Sequence, residues 1–270
     1  MQPKRILTMQ DLSCVGQCSM TVALPILSHY GVETCVLPTA ILSNHTMFKT
    51  WSYLDITPEI ENVYNGWREN GFKFQGFLLG YLGKKSLMDC AEKAFDEFSE
   101  KDAPIIIDPA FGDNGKLYGG FDLEYVAAMR NLIRRANIIV PNLTEVCFLL
   151  GWEYPASYDK NYIKKAVEEL KKYTPATVVI TGVEFDGKIG EAIYYNGKIS
   201  YVLAEKLPVC YHGTGDMFAA VFTAKYLNGA TLEQACAAAG EFVAKCIKAT
   251  PQNHFYGVCF EKVMLNEVEN

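Results

Sequence analysis

Ala136-Asn137-Ile138-Ile139-Val140-Pro141-Asn142-Leu143-Thr144-Glu145 joins a short apolar run to the start of a helix. The β-branched core of that run predicts a buried strand over 136–140. Asn142, with Glu145 three positions on, carries the signature of a helix N-terminus and predicts a helix over 142–150. A strand passing within two residues into a helix is half of a βαβ unit, and the same passage recurs along the chain.

Strand-like runs at 5–10, 33–38, 74–79, 104–107 and 176–180 are each followed by a polar residue or glycine. Helical periodicity predicts helices near 16–30, 57–71, 84–99, 122–135, 160–173, 214–228 and 231–248. Residues 190–203 read as a hairpin turning at Asn196-Gly197. The expected fold is α/β: a mainly parallel central sheet with helices on both faces, over a single domain spanning 1–270. In such a sheet the carboxyl ends of the strands share one edge, where ligands bind. Asp11, Tyr81, Asp108, Asn142 and Thr181 are therefore expected to converge.

Of the 270 residues, 50% are hydrophobic and 21% charged, ample for a core. Net charge is −6 and no long basic run occurs, which argues against nucleic acid as a partner. No apolar stretch is long enough for a membrane span, and the first residues lack a signal-peptide core. The nine cysteines form no CxxC pair, so a zinc site is not expected. A cytoplasmic protein with reduced thiols is expected.

His212-Gly213-Thr214-Gly215-Asp216 stands before an apolar helical stretch. Two glycines let backbone N–H groups turn inward, and with the helix dipole they make an anion site. A carboxylate in that first turn opposes an anion unless it has a task, such as taking the proton of an attacking hydroxyl. As a purely structural feature, the same stretch is a glycine-rich turn with Asp216 as a helix-start residue. Asn142 and Glu145 share a helix face and could organise a hydrated Mg²⁺, or could simply cap the helix. The polar, glycine-rich stretch 108–120 reads as a lid, with Asp108 at the strand end placed to help organise the metal, or as a plain surface loop. Gly83-Lys84-Lys85-Ser86 lacks the preceding glycine of a Walker A motif, and no GxGxxG follows a strand, so neither a P-loop NTPase nor a dinucleotide dehydrogenase is expected.

On these motifs the sequence resembles the ribokinase-like superfamily and, within it, the pyridoxal/pyridoxamine (vitamin B6) kinases. The resemblance spans nearly the whole chain. It rests on Gly213-Thr214-Gly215-Asp216, Asn142-Leu143-Thr144-Glu145, Asp108-Pro109 with Gly112 to Tyr118, Ser43-Asn44-His45-Thr46 and Gly80-Tyr81-Leu82-Gly83.

The resemblance implies transfer of the γ-phosphoryl group of MgATP to the 5′-hydroxyl of pyridoxal, pyridoxine or pyridoxamine. It implies Asp216 as the base, with the Gly213, Thr214 and Gly215 turn stabilising the transferring group. Asn142 and Glu145 would organise Mg²⁺ and its waters, with Asp108 and Asp113 near the metal and phosphates. Thr181 and Gly182 would line the nucleotide phosphates, and Gly257-Val258 the adenine side. Thr46 and Tyr81 would contact the pyridine ring. A homodimer and a monovalent cation such as K⁺ belong to the same expectation.

Two positions depart from the pattern. Asp11 stands where the family carries Ser, which points to a carboxylate on the ring nitrogen of the substrate, or to a turn cap. Val140 stands where a Thr is common, which bears on cation dependence. Cys210 could add to the aldehyde of pyridoxal or serve as a small packing residue. His45 and His212 flank motif residues and could touch phosphate or substrate, or be structural. Two alternatives share the motifs: a hydroxymethylpyrimidine (phosphate) kinase, and a non-catalytic nucleotide- or vitamer-binding regulator.

Overall fold

A computed structural model describes residues 2–209 and 211–269. Cys210 lies outside the described residues. In chain order the elements are β1 (Arg5–Ser13), α1 (Met20–His29), β2 (Glu33–Leu42), β3 (Tyr53–Asp55), α2 (Ile60–Glu69), β4 (Phe77–Leu79), α3 (Lys85–Phe98) and β5 (Ile105–Ile107). A two-rung hairpin of β6 (Gly112–Asp113) and β7 (Lys116–Leu117) follows, then α4 (Leu123–Leu132), β8 (Ile138–Ile139), α5 (Leu143–Leu150) and α6 (Lys160–Leu170). The chain continues through β9 (Thr177–Phe185), β10 (Lys188–Tyr195), β11 (Lys198–Glu205), α7 (Thr214–Leu227), α8 (Leu232–Ala249) and α9 (Glu261–Glu269).

The main sheet has the order β11-β10-β9-β8-β5-β4-β1-β2-β3. From β9 to β2 every neighbouring pair is parallel, while the marginal pairs β2–β3, β9–β10 and β10–β11 are antiparallel. The central strands β4, β5 and β8 are short and wholly apolar because both of their faces are covered. Side-chain alternation sends Phe77, Leu79, Ile105 and Ile107 into a core under α3, α4, α5 and α6. It sends Leu78 and Ile106 into a second core under α1, α7 and α8. The expected parallel sheet with helices on both faces is thus the observed one. Helix α7 is buried almost all round, so it carries no polar stripe. Among the described residues, no helix is long and apolar enough to cross a membrane.

Several boundaries differ from expectation for local reasons. The first strand does not stop before Asp11. A bulge between Gln10 and Leu12 lets it run on to Ser13. Helix α1 starts at Met20 rather than near 16, because Gly16 (φ 125°) and Ser19 (φ 46°) hold non-helical backbone. The hairpin at Asn196-Gly197 forms as expected, with φ of 49° and 77°. Asp186-Gly187 repeats the same geometry and joins β9 to β10.

Candidate active site

The carboxyl ends of β1, β4, β5, β8 and β9 open on one edge of the sheet. Asp108 follows β5 directly, and its N–H donates to the Leu79 carbonyl at the end of β4 (2.9 Å). Asn142, just past the end of β8, and Thr181, midway along β9, form a parallel bridge, with Thr181 N–H donating to the Pro141 carbonyl (2.9 Å). The sheet therefore brings Asp108, Asn142 and Thr181 into a row, as the strand order requires.

Helix α7 points its N-terminus at this edge. Gly213 precedes it in the left-handed region (φ 83°), and a Cβ there would collide with the Gln17 carbonyl. The turn thus depends on glycine. The first-turn amides after it have no partner within the helix, so the dipole and free N–H groups face the crevice together. Thr214 closes the turn, its hydroxyl donating to the Tyr211 carbonyl (3.3 Å).

Asp216 lies in that first turn, enclosed by protein on most sides and open to the crevice. Its Oδ2 accepts the Ser19 N–H at 2.8 Å. Burial pushes its pKa up to about 6, the charge of Asp11 adds to this, and the Ser19 hydrogen bond opposes it. Asp108 is pushed up to about 8 by burial, with Asp216 adding and the Ala110 N–H opposing. Asp11 is only 5% exposed and raised by burial, against hydrogen bonds from Ser19 and Ser13. Tyr81 is pushed up to about 12 by burial with the field of Asp11 behind it, and its ring packs against Phe121. Asp11, Tyr81, Asp108 and Asp216 thus share one electrostatic neighbourhood.

Glu145 is used differently. Asn142 Oδ1 accepts the Glu145 N–H (3.0 Å), and Glu145 Oε2 accepts the Asn142 N–H (2.9 Å), a complete capping box. Glu145 Oε1 takes the Phe111 N–H (3.0 Å), and Asn142 Nδ2 donates to the Gly112 carbonyl (2.8 Å). Glu145 is 1% exposed, and burial with the Asp108 charge raises it well above the ordinary carboxyl range. Glu145, expected as a metal ligand, thus has both of its oxygens on backbone amides. Its position ties α5 to the 109–117 loop, where Thr144 Oγ1 also accepts the Gly115 N–H (2.9 Å). Among the described residues no group of three or more His, Cys, Asp or Glu could hold a metal by itself.

Asp113 is exposed, and its oxygens accept from Asn114 within the β6–β7 turn. Thr46 is exposed on the loop after β2. Val258, expected on the adenine side, has its side chain wholly buried in the α1–α7–α8 core. Gly182 is exposed in the left-handed region (φ 68°) beside Thr181, where β9 has an extra residue relative to β10. The His45 and His212 rings stand 5.8 Å apart across the crevice mouth. His45 Nδ1 accepts the Met47 N–H (3.1 Å), so a neutral His45 carries its proton on Nε2. Burial, then the charge of His212, lowers the His45 pKa.

Two residues that sequence reasoning passed over shape the site. Ser19 supplies the amide on Asp216. Gln10 is 2% exposed, donates to Thr8 Oγ1 (2.9 Å) and leaves its Oε1 buried without a partner. A Cβ at Gly80 would come within 2.7 Å of that oxygen, which accounts for the glycine there. No spacing in the sequence announces either contact.

Comparison with known proteins sets this geometry in a family context. The phosphomethylpyrimidine kinase family model matches residues 27–258. A pyridoxal kinase from Dictyostelium discoideum is 28% identical over 82% of this chain and 77% of its own length. The crystal structure of pyridoxal kinase from Lactobacillus plantarum superposes with a TM-score of 0.91 at 31% identity, covering 98% of this chain and 97% of that one. A Bacteroides thetaiotaomicron protein, described as a candidate phosphomethylpyrimidine kinase and crystallised with pyridoxal, gives a TM-score of 0.91 at 37% identity, over 98% of this chain and 95% of that one.

Proposed function

The chain belongs to the pyridoxal kinase family of the ribokinase-like superfamily, and from that membership we propose that it transfers the γ-phosphoryl group of ATP to the 5′-hydroxymethyl group of a vitamin B6 vitamer. The observation that carries the reading is the pairing of Asp216 with the N-terminal cradle of α7. A base with pKa near 6 is ionised at neutral pH and placed to accept the proton of the attacking alcohol. The Gly213–Gly215 amides face the same space and suit the charge that develops on the transferring group.

Asp11 faces the other side of the crevice with Tyr81. A buried carboxylate there pairs with the protonated ring nitrogen of a pyridine and orients the vitamer so that its hydroxymethyl group meets Asp216. Thr46 extends this side of the pocket. Thr181 and Gly182 lie where the nucleotide phosphates would run, with Asn142 bridging to them.

The donor set suits Mg²⁺. Asp11, Asp108, Asp216 and Glu145 crowd carboxyl groups where phosphates must also sit; burial raises the pKa of all four, and a neighbouring carboxylate adds to this at Asp108, Asp216 and Glu145. Asp108, with Oδ2 turned toward Gly215, is the residue to hold such an ion, which would keep most of its waters. Bound there, Mg²⁺ would neutralise phosphate charge. Glu145 contributes field and loop order rather than a direct bond.

The same reading takes residues 1–270 as one kinase domain, working as a homodimer in the cytoplasm with K⁺ as a monovalent cation. The eight described cysteines are all unpaired, which agrees with a reducing compartment. The test is turnover of pyridoxal, pyridoxine, pyridoxamine and hydroxymethylpyrimidine with MgATP. Phosphorylation of at least one vitamer is expected. Turnover of the pyrimidine alone would reject the assignment, and no ATP consumption, with or without any of the four, would favour a binding protein.

A further inference from the structure

The loop between β1 and α1 is held by the far end of the chain. Gln17 N–H donates to the Tyr256 carbonyl (3.0 Å), and Gln17 Nε2 donates to Glu261 Oε1 in the first turn of α9 (2.6 Å). The Gln17 backbone is wedged between two glycines. A Cβ at Gly213 would strike the Gln17 carbonyl, and a Cβ at Gly257 would strike the Gln17 side chain. Both glycines adopt positive φ, 83° and 145°, so neither neighbour can retreat by taking an ordinary side chain. Two residues beyond Gln17 sits Ser19, whose N–H holds Asp216 Oδ2 and whose φ of 46° is unfavourable for a non-glycine residue. A strained residue persists only when its surroundings over-determine it.

We propose that Gln17 is a positioning residue for phosphoryl transfer: through Glu261 and the 256–257 segment, α9 braces the 16–19 loop and so fixes both the Ser19 amide on Asp216 and the packing of the Gly213 turn. This rests on the reading of Asp216 as the base. The α9 helix touches no reacting atom; it acts through the loop. Glu261 suits the task because an acid in a first helical turn is itself held by the helix dipole. A hydrogen bond to an ionised partner is also among the stronger kinds.

The experiment compares wild type with Q17A, E261A, Q17A/E261A, Q17E and Q17E/E261Q in steady-state phosphoryl transfer, and measures amide hydrogen exchange over residues 16–19. Q17A and E261A each lower kcat about tenfold with the vitamer KM within about threefold, since a small misplacement of reacting groups acts on the chemical step. The double alanine variant is no worse than the poorer single one, because both cut one link. Q17E sets two carboxylates together and loses activity. Q17E/E261Q restores the bond with roles exchanged and recovers at least half of wild-type kcat. Exchange at 16–19 speeds up in E261A, a surface change that leaves the core untouched. Unchanged exchange in E261A, additive losses in the double variant, or no rescue by the swap would overturn the proposal. The exchange measurement stands even if wild type phosphorylates no vitamer, so failure of the brace and failure of the kinase reading are told apart.

Discussion

The Ser19 N–H points at Asp216 Oδ2 from 2.8 Å, across 197 positions of sequence. The bond favours the ionised carboxylate, while burial and Asp11 favour the neutral acid; the balance leaves a pKa of about 6. Because a base must be ionised to accept a proton, kcat should rise with pH through about 6 and level off above it. D216N keeps the shape but cannot take the proton, and should lose about 10²–10⁴-fold in kcat while still binding ATP. Full turnover in D216N, or a flat profile between pH 5 and 8, would contradict the role.

Asp11 is buried beside Tyr81 at the end of a strand, with Ser13 Oγ as a hydrogen-bond donor at 3.3 Å. If it pairs with the ring nitrogen, D11N replaces a charged hydrogen bond by a neutral one. The vitamer KM should then rise about tenfold or more, with the ATP KM within about threefold. Equal losses for both substrates would place Asp11 among the structural residues.

Much of this arrangement was readable from residues. Ile105–Ile107 and Ile138-Ile139 announce central strands because a strand covered on both faces has no polar positions to obscure it. Gly213 and Gly215 before an apolar helix announce the anion turn. The contacts that tune the site were not readable, since Ser19 on Asp216 and Gln17 on Glu261 join segments that only the folded sheet brings together. Local signals also failed where elements are too short to show a period. Asn114-Gly115 has the same turn conformation as Asn196-Gly197, but its flanking strands have two residues each. Nor does the pair Gly257-Val258 announce its two environments: Gly257 packs on Gln17, while the Val258 side chain turns into the core.

Glu145 separates a structural role from direct metal ligation. E145Q keeps one acceptor but sets an NH₂ group against the N–H of Asn142 or Phe111. Leaving such a buried amide unsatisfied costs about 1–3 kcal/mol. Urea unfolding should show that loss equally with and without Mg²⁺, together with looser protection of the 109–117 loop. A variant as stable as wild type in metal-free buffer would return Glu145 to the ligand set.

Among the described residues no ion pair reaches Glu191, and burial alone acts on its carboxyl. It occupies β10 where the register with β9 shifts, beside Gly190, whose backbone lies so close to the Val202 carbonyl that no Cβ fits. The carboxyl is 6% exposed and packs under α8 near Gly240. Burial alone raises its pKa from 4.5 to about 8. The folded protein therefore holds a proton that the unfolded chain releases between those two values. Stability from this group is complete below pH 4.5 and is lost as pH rises through about 8, by up to about 1.4 kcal/mol per pH unit in between. E191Q cannot ionise and should flatten that slope, becoming more stable than wild type at pH 8 while differing little at pH 5. Unfolding free energies measured at pH 5, 6.5 and 8 decide it, since other buried carboxyls contribute alike to both proteins. Parallel pH slopes for the two would mean that Glu191 finds a partner or solvent when it ionises.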